Sequence, residues 1–117
     1  MMSTITRKPS GPKLSDAVEH NGVIYVAGQV ADDLTQGVEG QTRQVLAAID
    51  QALAAFGSDK SKLLSATCYL ADMRTKPEMD QAWLAWVDPR NLPARATVEV
   101  RLGSPDTLVE IMVIAAR

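Results

Sequence analysis

Two ionisable residues stand out in the last third of the chain. Arg95 lies within Ala94-Arg95-Ala96-Thr97-Val98 and Glu110 within Leu108-Val109-Glu110-Ile111-Met112, each set among mostly small or apolar neighbours in a strand-like run. A guanidinium in such a setting needs a carboxylate or a similar anion, which its planar fork can hold bidentately. Two readings of Arg95 stay open on the pattern: an anchor for a carboxylate ligand, or an intersubunit salt bridge to an acidic residue. Other reactive side chains are easier to place. His20 precedes a tight turn with no orienting partner in view, so imidazole catalysis is not expected. Cys68 is the single cysteine, cannot form an intrachain disulfide, and reads as strand packing. Trp83 and Trp86 share a helical stripe with Met79 and read as core or, failing that, as pocket walls. The chain has no P-loop, dinucleotide glycine fingerprint, nucleophile elbow or zinc-ligand spacing, which leaves phosphate-cofactor and zinc chemistry without support.

The elements that must position Arg95 and Glu110 follow from periodicity and turn chemistry. A β-leaning stretch, 3–6, is followed by the breakers Pro9, Gly11 and Pro12. Strands over 16–20 and 23–30 flank Asn21-Gly22, a dipeptide suited to a type I′ hairpin because both central positions need positive φ. Gly28, deep in the second strand, marks a bulge or a close approach by a ligand or another backbone. Leu46, Ile49, Leu53 and Phe56 recur at steps of three and four and predict an amphipathic helix over 38–56, ended by Gly57. Period two returns over 63–73, with Leu64, Ala66, Cys68 and Leu70 on one face. Thr75-Lys76-Pro77-Glu78 reads as a capping box opening a second helix, which Asp88-Pro89 ends. The last third reads as a second hairpin, 94–101 and 107–116, joined by Gly103-Ser104-Pro105-Asp106.

In this reading the two helices cover one face of a mixed sheet and leave the other bare. The bare face would carry Leu108, Met112 and Ile114 together with Arg95, Thr97, Glu99 and Glu110. A contiguous apolar patch of that kind marks an interaction surface, and sheet-against-sheet packing of subunits is the simplest way to cover it.

Composition narrows the function classes. The chain has 117 residues, 46% hydrophobic and 22% charged, which fits one folded domain and leaves no room for separate cofactor and substrate lobes. A net charge of −2 gives no electrostatic reason to expect a nucleic-acid partner, and 4% aromatic residues supply few stacking platforms. No apolar run approaches the roughly 20 residues needed to span a bilayer, and the opening MMSTITRKPS has no signal-peptide pattern. With its lone thiol, the chain reads as cytoplasmic.

The stretches Tyr25-Val26-Ala27-Gly28-Gln29, Gln41-Thr42-Arg43-Gln44-Val45-Leu46, Pro93-Ala94-Arg95-Ala96-Thr97-Val98-Glu99-Val100 and Val109-Glu110-Ile111 make the chain recognisable. It resembles the RidA family, also called YjgF, of small imine and enamine deaminases. The resemblance implies an α+β, chorismate-mutase-like fold with a mixed six-stranded sheet and two helices packed on one face. It also implies that residues 1–117 form a single RidA-like domain, and that three such subunits form a homotrimer around a central barrel of sheets, with ligand sites in the clefts between subunits.

By that resemblance Arg95 grips the substrate carboxylate, Glu110 positions and activates water, and Ala27, Gly28, Thr97 and Asp80 occupy substrate-binding positions. The implied substrate is a reactive 2-imino or 2-enamino acid of the 2-aminoacrylate and 2-iminopropanoate class, hydrolysed to a 2-oxo acid and ammonia. Neither a cofactor nor a metal is implied, nor a nucleic-acid or membrane partner. The chain also departs from the family pattern. Ala27 stands where a serine is typical, Thr97 where a cysteine is typical, Asp80 where an asparagine is frequent, and Lys13-Leu14 follow Gly11-Pro12 where a tyrosine is common. These changes keep a second reading open, a non-catalytic trimeric protein that binds small carboxylate metabolites.

Overall fold

In a computed structural model, which describes residues 4–117, the chain order is β1 (Ile5–Ser10), β2 (Leu14–His20), β3 (Val23–Gln29), α1 (Val38–Ala54), β4 (Leu63–Leu70), α2 (Lys76–Trp86), β5 (Ala94–Glu99) and β6 (Val109–Ala116). Ser3, the first residue of the expected opening stretch, lies outside the described residues. β1 continues through Pro9 with a bulge after Lys8, and pairs antiparallel with β2. A proline is tolerated there because β1 is an edge strand and needs no donor on its outer side. Asn21 and Gly22 have φ of 53° and 78°, as the type I′ hairpin between β2 and β3 requires.

All six strands join one sheet in the order β1-β2-β3-β6-β4-β5. This overturns the expected second hairpin. β6 inserts antiparallel between β3 and β4, whereas β5 pairs in parallel with the other edge of β4. Parallel neighbours need a crossover, and α2 supplies it, so β4-α2-β5 is a βαβ unit and the Gly103-to-Asp106 turn belongs to a longer connection across the sheet end.

The helices lie on one face. Val45, Leu46, Ile49 and Leu53 of α1 and Met79 and Trp83 of α2 pack with Ile24, Val26, Ala66, Cys68, Ile111 and Val113 from the strands. α1 ends with Ser58 N–H bonding Leu53 C=O and Gly57 at φ 75°, the turn expected of that glycine. The capping box is not formed. The Thr75 hydroxyl donates backward to Asp72 C=O at 2.6 Å, and Asp72 caps the short turn Met73–Thr75 that leads into α2. β4 stops at Leu70, and an irregularity between Leu63 and Ser65 puts Leu63 in the core and leaves Leu64 exposed, contrary to the expected alternation.

Among the described residues, no element covers the opposite face. Tyr25, Val98 and Met112, 49%, 42% and 38% exposed, lie on it beside the half-buried Ile114. No helix of the described residues is long and apolar enough to cross a membrane.

Candidate functional site

Strand register assigns each candidate side chain to a face, and it separates Arg95 from Glu110. Across the β4–β5 pair, Arg95 sits opposite Ala66 and Thr97 opposite Cys68, and both β4 residues are buried under the helices. Arg95, Thr97 and Glu99 therefore belong to the helix side of the sheet. Glu110 sits opposite Tyr69 on β4, out of phase with the buried Ile111 and Val109, and belongs to the open side. The expectation that all four share the open face is thus corrected. It depended on a hairpin between β5 and β6, and with β4 between them the phase of β5 is set by β4. Leu108 likewise precedes β6 and is half-buried, with its N–H donating to Gln41 Oε1 at 3.0 Å.

Arg95 reaches from the sheet edge to α2. Its Nη1 donates to Asp80 Oδ1 at 2.8 Å, and its Cζ lies 5.1 Å from the centroid of the Trp83 ring, a cation–π distance. The salt bridge entertained for Arg95 therefore exists, but within the chain. It uses one nitrogen of five N–H donors on the fork, and among the described residues no other hydrogen bond holds the guanidinium. Asp80 Oδ2 accepts from Lys76 Nζ at 2.7 Å. Partial burial works against the charge on Asp80, but hydrogen bonds from Lys76 and Arg95 outweigh it and hold the carboxyl below its ordinary range. Beneath Arg95, burial pushes the Cys68 thiol up to about 11, with the Arg95 charge and a hydrogen bond from Thr97 opposing the shift. Cys68 is a packed core residue, as expected, and Thr97 is turned toward it.

Glu110 is positioned by subtraction. A bulge between Val26 and Gln29 takes Ala27 and Gly28 out of the ladder with β6. Gly28 then lies directly against Glu110, so close that a Cβ added at Gly28 would fall 2.9 Å from Glu110 Cδ. The sequence reading of Gly28 as a bulge is borne out, whereas the group that approaches it closely is neither a ligand nor another backbone but a carboxylate side chain of the same chain. Half-buried, Glu110 makes no hydrogen bond or ion pair with the described residues. Ala27 contributes its carbonyl, which accepts from Gln29 Nε2 at 3.0 Å, while the same amide reaches Asp16 Oδ1 at 3.0 Å.

Sequence reasoning missed Gln41. Fully buried at the start of α1, it donates to Gln36 C=O at 3.0 Å and Asp106 C=O at 2.9 Å and accepts from Leu108 N–H. It ties the loop before α1 to the segment entering β6, two residues ahead of Glu110. A glutamine beside Thr42 inside an otherwise apolar helical face was the available signal, since buried amides must be satisfied.

Arg95 and Glu110 thus project from opposite faces, on strands about 10 Å apart with β4 between them, and at positions three residues apart along β4. Two surface hollows lie elsewhere. One of about 240 Å³ between α1 and α2 is lined by Asp50, Lys60 and Trp86, and another borders Glu99 to Thr107. Neither contains Arg95 or Glu110.

Residues 5–117 match the family model described as Endoribonuclease L-PSP. A RutC family protein of Haemophilus ducreyi is 46% identical over 112 residues, covering 96% of each chain, and one of Escherichia coli is 41% identical over 113 residues, covering 97% of this chain and 98% of the other. Among solved structures, a YjgF family member from Neisseria meningitidis superposes with a TM-score of 0.94 at 42% identity, covering 97% of this chain and 95% of that one. A relative from Mycobacterium tuberculosis gives a TM-score of 0.88 at 26% identity, covering 97% and 100%. With the fold and near full-length similarity in agreement, the chain belongs to the RidA family, whose members also carry the names YjgF, RutC and Endoribonuclease L-PSP.

Proposed function

We propose that the protein hydrolyses reactive 2-imino and 2-enamino acids, of the 2-aminoacrylate and 2-iminopropanoate class, at sites shared between subunits of a homotrimer. The observation that carries this reading is the pair of incomplete half-sites: a guanidinium with one hydrogen-bond partner among the described residues on one face, and on the other a carboxylate over a glycine with none. Neither half can reach the other within one chain. Packing the open face of one subunit against the β5 edge of the next brings the Glu110 of one toward the Arg95 of its neighbour, and it covers Tyr25, Met112 and Ile114 at the same time.

The chemistry asks for little more. Arg95 fixes the substrate carboxylate, which orients the adjacent C=N carbon, and orientation alone can remove a large part of a barrier. An enamine first takes a proton on its β-carbon and loses one from nitrogen, giving the imine. Glu110 holds a water against the imine carbon and accepts its proton as the C–O bond forms, while the C=N electrons pass to nitrogen, which is protonated in turn. The carbinolamine then loses ammonia, its hydroxyl proton leaves, and the 2-oxo acid remains. No step draws on a redox partner.

A second reading, a non-catalytic trimeric protein for small carboxylate metabolites, rests on Ala27 and Thr97, which bring no free proton-transfer group to the cleft. The ribonuclease activity in the family model's name is not carried over. A net charge of −2 offers no attraction to a phosphate backbone.

The direct test generates 2-aminoacrylate in situ and follows pyruvate. The parent accelerates its formation and Arg95→Ala does not. Equal acceleration by both removes Arg95 from the site, and ligand-dependent thermal stabilisation without turnover selects the binding protein. Light scattering should give a particle about three times the 12.6 kDa chain mass.

A further inference from the structure

Arg95 is not the only cation at its end of the sheet. Asp80 is shared, with Oδ1 accepting from Arg95 at 2.8 Å and Oδ2 from Lys76 at 2.7 Å. Lys76 and Asp80 stand one turn apart on α2, so the helix presents them as a fixed pair. Glu99 bonds the N–H of Met73 at 2.8 Å and so ties the approach to α2 to the end of β5, the strand that carries Arg95. Arg95, Lys76 and Asp80 are half-buried and their formal charges leave one net positive, with the exposed Glu99, engaged by the Met73 N–H, supplying the balancing negative charge at the strand end.

We propose that Lys76 and Asp80 are specificity-determining residues: Asp80 pins one edge of the Arg95 fork, Lys76 cancels the Asp80 charge, and together they set how the site chooses between monocarboxylate and dicarboxylate ligands. The proposal rests on the reading of Arg95 as carboxylate anchor. Its physical content is a difference in response. One unit of charge added to or removed from the site changes the Coulomb energy of a dianion about twice as much as that of a monoanion, so the ratio of their affinities must move in a known direction. Asp80→Asn keeps an oxygen acceptor for Arg95 and adds one positive unit. Lys76→Met keeps the length of the stem and removes one. The double variant restores the parental charge.

The test measures dissociation constants of the full chain for 2-oxobutanoate and 2-oxoglutarate, unreactive in hydrolysis, by titration calorimetry at fixed low salt. Relative to 2-oxobutanoate, 2-oxoglutarate should gain about three- to tenfold in Asp80→Asn and lose about three- to tenfold in Lys76→Met. The ratio should return to the parental value in Lys76→Met/Asp80→Asn and remain parental in Lys76→Arg. Lys76→Gln, of different shape, must move the ratio in the same direction as Lys76→Met. A role confined to holding α2 in place would lower both affinities together and leave the ratio fixed. If Arg95→Ala abolishes binding while the ratio stays constant across the Lys76 and Asp80 variants, the charge setting is overturned and the anchor stands. If Arg95→Ala leaves 2-oxobutanoate binding unchanged, the anchor reading fails and the proposal falls with it.

Discussion

The two faces of the sheet handle their charged residue in opposite ways. On the helix side, Arg95 is held by addition: a carboxylate from α2 at 2.8 Å, an indole face at 5.1 Å, and a packed layer of Ala66 and Cys68 below. On the open side, Glu110 is placed by removal, with a bulge that lifts Ala27 and Gly28 out of the ladder and no side chain at Gly28 to obstruct it. A covered face can support a charge with its own contacts. An open face can only clear space and leave the remaining contacts to whatever packs against it. The comparison teaches that the arginine half is held by contacts within one chain while the glutamate half is left open by it, and the proposed two-subunit site is the arrangement in which a neighbour would complete the second half.

The sharpest way to break this comparison is to divide the two halves between chains. Arg95→Ala and Glu110→Gln should each lower kcat/KM for 2-aminoacrylate hydrolysis about a hundredfold or more, since each removes a charged partner from the reacting centre. Unfolded together and refolded as a one-to-one mixture, they should recover about a quarter of the parental rate. In a random trimer that is the statistical share of clefts receiving an intact arginine from one subunit and an intact glutamate from the next. If both residues of each site came from a single chain, no mixed cleft would be intact and the mixture would stay inactive.

A smaller effect sharpens the open-face half. Gly28→Ala puts a methyl where the Glu110 carboxylate lies, 2.9 Å from Cδ, so the side chain must swing aside. The expected result is a loss of about tenfold in kcat with KM nearly unchanged, because the carboxylate anchor on the other face is untouched. A change in KM alone would mean that Gly28 shapes binding rather than the position of Glu110.

How far these features were legible in the sequence differed between the two halves. Asn21-Gly22, the stripe of Leu46, Ile49 and Leu53, and Gly57 specify local structure by local chemistry, and each formed as expected. Gly28 was legible for the same reason, because a missing side chain in the middle of a strand needs a near neighbour. The partner of β5 was not legible. Gly103-Ser104-Pro105-Asp106 has the composition of a tight turn, whereas the choice between pairing with β6 and pairing with β4 depends on α2 crossing the sheet, a contact between distant segments. The same non-local fact moved Arg95 to the helix side and supplied Asp80 as its partner. The Thr75 cap failed on a smaller competition: Asp72 already caps the preceding turn, and the Thr75 hydroxyl serves the Asp72 carbonyl instead.

Gln41 tests whether the path into Glu110 is held from the helix layer. Gln41→Leu keeps the apolar volume but leaves the carbonyls of Gln36 and Asp106 and the N–H of Leu108 without their partner. A destabilisation of about 3 kcal/mol in chemical unfolding is expected, with activity at low temperature falling only severalfold. A stability unchanged within error would mean that water replaces the amide at no cost and that β6 is positioned by its ladder alone.

The smallest effect concerns Cys68, which lies opposite Thr97, two residues along β5 from Arg95. Burial raises its thiol to about 11, above the ordinary 9.0, so the folded chain keeps the proton where an unfolded chain would lose it. An acid whose folded value is raised costs the fold nothing below the unfolded value, and it withdraws stability as pH climbs from about 9 toward 11. The Asp80 carboxyl, held low by Lys76 and Arg95, acts at the other end: its contribution is present above the ordinary 3.8 and fades as pH falls through its lower folded value. Between these limits neither group changes charge, so the helix-side layer should be insensitive to pH from about 5 to 8. At pH 8 a thiol reagent should label Cys68 only at the rate of opening, and Cys68→Ala should leave hydrolysis within about twofold of the parent. Fast labelling of the folded protein would show that the layer beneath β5 is open to solvent, and the arginine half would then be no more preorganised than the glutamate half.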